Sequence, residues 1–301
     1  MLAFVSLRSL RLAAGVILLG VVGAIVAFGP SSGPRSSATS STRSATTRPS
    51  TASRTPPKSF QTALLGTSPR RGTDRIEGPY GRGGGQVWVV VPDRPVRSVV
   101  VFGHGWKLAP PSSAYSWVGQ FRPWLDHLAA DGSAVIFPRY QLGVGDPQDA
   151  TRVLDFATGI HTGYALVGRP KVPVVAVGYS FGASLAFYYG ANARAWKVPV
   201  PQAVQATFPA GMIEGAVLPA LDRWVRVLIQ VGDADTEAGS GGANSFWKWL
   251  ASHPAPLKSY EIVHSSPQLT ANHAAPKATN PAAQRDFWAP LDRLITIARG
   301  G

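Results

Sequence analysis

Two short runs, Val99-Val100-Val101-Phe102 and Val174-Val175-Ala176-Val177, are apolar at every position. A strand with one face in water alternates apolar and polar residues, so runs without alternation belong to strands buried on both faces, as in a parallel sheet covered by helices. From about residue 86 to residue 298 such runs alternate with longer helical patterns. Strands are expected at 87–91, 98–102, 134–137, 174–177, 204–207, 225–231 and 259–263. Helices are expected around 115–130, 150–167, 181–193, 244–251 and 283–298. The expected fold class is α/β: a doubly wound, mostly parallel sheet with helices on both faces, in one domain of about 220 residues.

Composition narrows the function classes. The 301-residue chain has no Cys and is 45% apolar. It is too apolar to be disordered throughout, and it has no disulfide, thiolate metal site or Cys nucleophile to draw on. A net charge of +13 invites an acidic partner, but the charge is unevenly spread. Residues 1–60 hold Arg8, Arg11, Arg35, Arg43, Arg48, Arg54 and Lys58 and no acid; the other 22 basic residues face 16 acidic ones. That remainder contains no basic helix with interleaved aromatics, so no nucleic-acid partner is expected.

Residues 12–28 form an uninterrupted apolar run of 17 residues behind Arg8 and Arg11. This length falls between a signal-peptide core and the ~20 residues that span a bilayer. Ala24, Ala27 and Gly29 are small enough for a cleavage site, with Pro30 directly after them. Residues 1–29 are therefore expected to be a signal peptide or an N-terminal membrane anchor. The protein is then exported, either anchored to the membrane on its extracytoplasmic side or secreted. Residues 30–59 are almost entirely Ser, Thr, Pro, Ala and Arg. Such a segment buries too little apolar surface to offset the entropy of ordering, so a disordered stalk is expected, followed by a folded domain over 60–301.

The sequence Gly178-Tyr179-Ser180-Phe181-Gly182 lies between an apolar strand and a helical pattern. A turn this tight requires the positions two before and two after the serine to lack side chains, and it projects the hydroxyl above the sheet. The N–H groups that follow sit at a helix N-terminus, where an oxyanion would form. In this setting the motif resembles the nucleophile elbow of the α/β-hydrolase superfamily, and the resemblance covers about 86–298. It implies Ser180 as nucleophile and no cofactor. It also implies an oxyanion hole formed by the backbone N–H groups of Phe181 and of Trp106, the latter in the turn Gly103-His104-Gly105-Trp106 after strand 98–102. His104 reads as a structural residue of that turn, because the superfamily's catalytic His lies far downstream. The short interval 207–224 leaves little or no room for a cap domain.

A serine hydroxyl needs a base, and the base needs a carboxylate to hold its tautomer. The superfamily order is Ser, acid, His. Strand 225–231 runs into Gly232-Asp233-Ala234-Asp235-Thr236-Glu237. The resemblance favours Asp235, the third residue after the glycine, with Asp233 as the alternative; a Ca²⁺ loop on Asp233, Asp235 and Glu237 lacks the further ligands of a known pattern. For the base, His264 directly follows strand 259–263, and His273 lies in the loop before the last helix, where the superfamily carries its His. His273 is favoured and His264 stays open. His253, beside Pro254, reads as a surface residue.

The resemblance thus implies a carboxylic ester hydrolase working through Ser180, His273 and Asp235. Trp106, Tyr179 and Phe181 are expected to contact an ester substrate with an apolar acyl group, whereas Trp117, Phe121 and Trp124 read as core. The same triad would serve acyl transfer to wall or lipid alcohols. A non-catalytic, membrane-tethered binding protein is a third reading, against which the retention of the whole residue set counts. In size and motif spacing the chain is similar to the compact dienelactone-hydrolase and polyester-hydrolase-like group.

Overall fold

The computed structural model describes residues 75–108 and 116–301. The expected signal or anchor at 1–29 and stalk at 30–59 lie outside the described residues. The strands are β1 (Glu77–Tyr80), β2 (Val87–Val90), β3 (Ser98–Gly103), β4 (Ser133–Pro138), β5 (Val174–Tyr179), β6 (Ala203–Thr207), β7 (Arg226–Gly232) and β8 (Lys258–Val263). They form one sheet in the order β1-β2-β4-β3-β5-β6-β7-β8. β2 runs antiparallel to both β1 and β4, and every other pairing is parallel. The main helices are α1 (Arg122–Ala130), α2 (Ala150–Leu166), α3 (Phe181–Asn192), α4 (Gly241–Trp249) and α5 (Ala289–Ala298).

The unbroken apolar runs have the cause expected of them. Val99 and Val101 of β3 enter a core shared with Phe156 of α2, Leu185 of α3 and Phe246 of α4. Val100 and Phe102 enter the opposite core with Trp124 and Leu125 of α1 and Leu291 of α5. Each alternate side chain therefore leaves water, which favours folding by about 1.5–3 kcal/mol per large apolar residue. Trp117, Phe121 and Trp124 are buried in the second core. Phe102 packs edge-on against Trp124 at 5.3 Å, and Trp124 stacks on Trp288 at 5.8 Å.

One strand is added to those expected, and three sequence expectations change in detail. β1, outside the expected strands, pairs along β2 at the sheet edge. The helix expected over 115–130 is divided into Ser116–Gly119 and α1, and Pro123, fixed in φ and lacking an N–H, opens the second piece. The helix expected over 283–298 begins as Pro281–Ala283, widens into a π-helical stretch at Gln284–Trp288 and then continues as α5. Pro290 has no N–H to offer the Asp286 carbonyl. That carbonyl accepts instead from Gln230 Nε2 at 2.9 Å, and the Phe287 carbonyl accepts from Gln205 Nε2 at 2.9 Å. Two buried amides on β6 and β7 thus pair with the backbone that the wide turn releases. Finally, His253 is buried, with Nε2 2.8 Å from the Val225 carbonyl, and so is not a surface residue. It packs where the chain enters β7.

Residues 208–225 contain no helix or strand, so no cap is inserted there. Among the described residues no helix is long and apolar enough to cross a membrane.

Candidate active site

β5 ends at Tyr179 and α3 begins at Phe181, so Ser180 is the entire turn between strand and helix. Its backbone has φ 57° and ψ −125°. A non-glycine residue with positive φ stores about 1–3 kcal/mol, retained only where the surroundings fix it. Here the Ser180 N–H donates to the Thr207 carbonyl at 2.9 Å, and the Ser180 carbonyl accepts from Ala183 N at 2.9 Å. The flanking glycines are steric necessities. A β-carbon on Gly178 would sit on the Gly182 carbonyl, and one on Gly182 would sit on the backbone of Gly103 and His104.

His273 Nε2 lies 3.0 Å from Ser180 Oγ, and His273 Nδ1 lies 2.9 Å from Asp235 Oδ2. With the ring proton on Nδ1, the imidazole donates to Asp235 and leaves Nε2 free to accept from the serine. The Asp235 side chain is fully buried. Its second oxygen accepts from the N–H groups of Glu237 at 2.9 Å and Ala238 at 3.2 Å. A buried carboxylate with three donors avoids the several kcal/mol that an unpaired one would cost. The ring of His273 is held between Tyr179 at 5.0 Å and Phe208 at 5.9 Å, and the Tyr179 hydroxyl donates to the His273 carbonyl at 2.7 Å. Gly232 lets the two loops approach, since a β-carbon there would overlap the Ala271 carbonyl.

The structure does not bring Asp233 or His264 to Ser180. They face each other at 3.3 Å on the outside of the same loops. Asp233 accepts from the hydroxyl and N–H of Ser265, which hold its carboxyl below the ordinary range, and Ser265 Oγ in turn accepts from Ala271 N at 3.0 Å. The outer pair therefore braces the loop that carries His273. Among the described residues no three His, Cys, Asp or Glu side chains are grouped so as to hold a metal ion.

The turn after β3 is held from one side. His104 is buried, its ring nitrogens lie 2.7 Å from the carbonyls of Gly105 and Arg139, and burial lowers its pKa to about 4. It lies apart from the cavity at Ser180. Tyr140 donates to the His104 carbonyl at 2.6 Å. Buried Gln141 clasps Lys107 at both backbone atoms: its Oε1 accepts from Lys107 N and its Nε2 donates to Lys107 O, each at 2.9 Å. Sequence reading missed Arg139-Tyr140-Gln141. The signal was its position beyond the carboxyl end of β4, among the loops where this fold class gathers chemistry.

Ser180 opens onto a cavity of about 580 Å³ whose walls include Trp106, Tyr179, Phe181, His273, Lys107 and Lys277. Trp106 packs edge-on against Phe181 at 5.1 Å. Among the described residues the N–H groups of Trp106 and Phe181 have no hydrogen-bond acceptor.

The fold of this chain recurs in solved structures. The chain superposes on esterase B from Lactobacillus rhamnosis, inhibited by a tributyrin phosphonate, with a TM-score of 0.56 at 14% identity over 80% of this chain and 92% of that one. The apo form of Thermogutta terrifontis esterase 2 gives a TM-score of 0.53 at 17% identity over 77% of this chain and 97% of that one. The chain has the α/β-hydrolase fold. No family model and no curated protein matches the sequence. Within this fold, the segments that meet at Ser180 are the ends of β3, β5 and β7 and the loop after β8.

Proposed function

We propose that the protein hydrolyses carboxylic esters through an acyl-enzyme on Ser180. One observation carries the reading: the unbroken line from Ser180 Oγ through the His273 ring to Asp235, with steps of 3.0 and 2.9 Å, at the wall of an open cavity. Ser180 Oγ attacks the ester carbonyl while His273 Nε2 takes its proton. Asp235 holds the ring and offsets the imidazolium charge. The Phe181 and Trp106 N–H groups receive the oxyanion, each worth about 3 kcal/mol in the transition state. The proton on Nε2 passes to the leaving alcohol. Water then attacks the acyl-enzyme, giving its proton to His273, and Ser180 is released with the acid. The phosphonate-inhibited esterase B of Lactobacillus rhamnosis, on which this chain superposes, agrees with this chemistry. Trp106 and Phe181 supply apolar wall for a short acyl chain.

The test is hydrolysis of 4-nitrophenyl butyrate by wild type and Ser180→Ala. Loss of the nucleophile is expected to lower kcat by ~10⁶, and a fluorophosphonate is expected to label the wild type at Ser180 alone. A Ser180→Ala protein as fast as wild type would refute the proposal. Added alcohols are expected to leave acid as the main product; ester formation would instead identify a transferase.

We further infer from composition that residues 1–29 direct export, as a cleaved signal or a retained anchor, and that 30–59 form a stalk before the catalytic domain. Expression in a bacterial host with fractionation tests this: the folded domain is expected outside the cytoplasm, and cytoplasmic accumulation of the full-length chain would overturn it.

A further inference from the structure

Two ammonium groups share the cavity with Ser180. Lys107 directly follows Trp106, and Lys277 lies four residues after His273, so they reach the cavity from two separate loops. Both are half-buried. Lys107 is held in place through its backbone by Gln141. Lys277 Nζ lies 5.4 Å above the Tyr179 ring, a cation–π contact that anchors the side chain along the cavity wall. Among the described residues neither ammonium has a salt-bridge partner within 4.0 Å. Glu237 also lines the cavity, but among the described residues its carboxylate makes no salt bridge with either ammonium. Burial, with the repulsion of Lys277 added, lowers the Lys107 ammonium to about 8.

Like charges lining one cavity repel each other, and an anion between them relieves that repulsion. We propose that the cavity selects esters carrying a second, ionised carboxylate, which Lys107 and Lys277 bind while Ser180 attacks the ester group. This rests on the esterase reading and specifies its substrate class: monoesters of dicarboxylic acids rather than wholly apolar esters. The aromatic wall of Trp106 and Phe181 then contacts the short apolar chain between the two carboxyl groups.

The test compares 4-nitrophenyl butyrate with mono-4-nitrophenyl glutarate, which adds one carboxylate at the far end of the acyl chain. Wild type is expected to favour the glutarate in kcat/KM by about tenfold, the worth of a charge-assisted hydrogen bond. The preference is expected to shrink in high salt, to vanish in Lys277→Met and to survive in Lys277→Arg. Equal rates on the two esters, or a ratio unchanged by Lys277→Met, would overturn the proposal while leaving the esterase reading intact. If wild type hydrolyses neither ester, the esterase reading fails by itself. Calorimetric binding of methyl hydrogen glutarate then decides the anion site, which requires binding to wild type and at least tenfold weaker binding to Lys277→Met; no binding to wild type would overturn it.

Discussion

Two His–Asp pairs lie on the same two loops, and only one of them reaches Ser180. His273 and Asp235 meet at 2.9 Å with side chains 10% and 0% exposed, while His264 and Asp233 meet at 3.3 Å with side chains 76% and 33% exposed. The residue types and the pairing are the same in both. The inner carboxylate is screened from water, accepts from two backbone N–H groups and holds a ring whose other nitrogen faces a serine. The outer carboxylate accepts from Ser265 and fastens the inner loop. A His–Asp pair becomes a candidate base only where packing fixes the ring and burial strengthens the electrostatics.

Substitutions in matched positions separate the pairs. The largest contrast is expected between His273→Ala, which should lower kcat on 4-nitrophenyl butyrate by ~10⁶, and His264→Ala, which should stay within about twofold of wild type. Equal losses would erase the distinction. Next, Asp235→Asn is expected to cost ~10⁴ in kcat, because the amide favours the wrong imidazole tautomer. Asp233→Asn is expected to cost less than about tenfold, since it acts only by loosening the loop through Ser265.

The smallest effect concerns acid stability. Because Ser265 holds the Asp233 carboxyl below its ordinary value of 3.8, that group contributes stability above pH 3.8 that is lost as the pH falls through its lower folded value. Asp233→Asn should therefore flatten the acid limb of a plot of Tm against pH below about pH 4. An unchanged acid limb would show that the outer pair does not brace the loop.

The elements that could be read in advance were those set by local chemistry. The seven anticipated strands lie close to their expected positions because a doubly covered strand needs an unbroken apolar run. Gly178 and Gly182 marked the elbow because no side chain fits there. β1 escaped notice because its pairing comes from β2 and not from its own Gly-Pro sequence. The π-helical turn escaped because the donors that make it tolerable, Gln205 and Gln230, are far away in sequence. The brace from Tyr140 and Gln141 to His104 and Lys107 is similarly distant, spanning 36 and 34 residues.

The doubly wound sheet and the serine at the tip of a strained turn follow from side-chain size and periodicity over a few adjacent residues. The sequence left two acids and two histidines open. Tertiary structure alone decided which pair meets Ser180, because a contact across 93 residues depends on loop paths. Those paths are set by Gly232 yielding to the Ala271 carbonyl and by Ser265 tying the loop to Asp233. Tertiary structure also brought Lys107 and Lys277 to one cavity, a juxtaposition that local sequence does not encode.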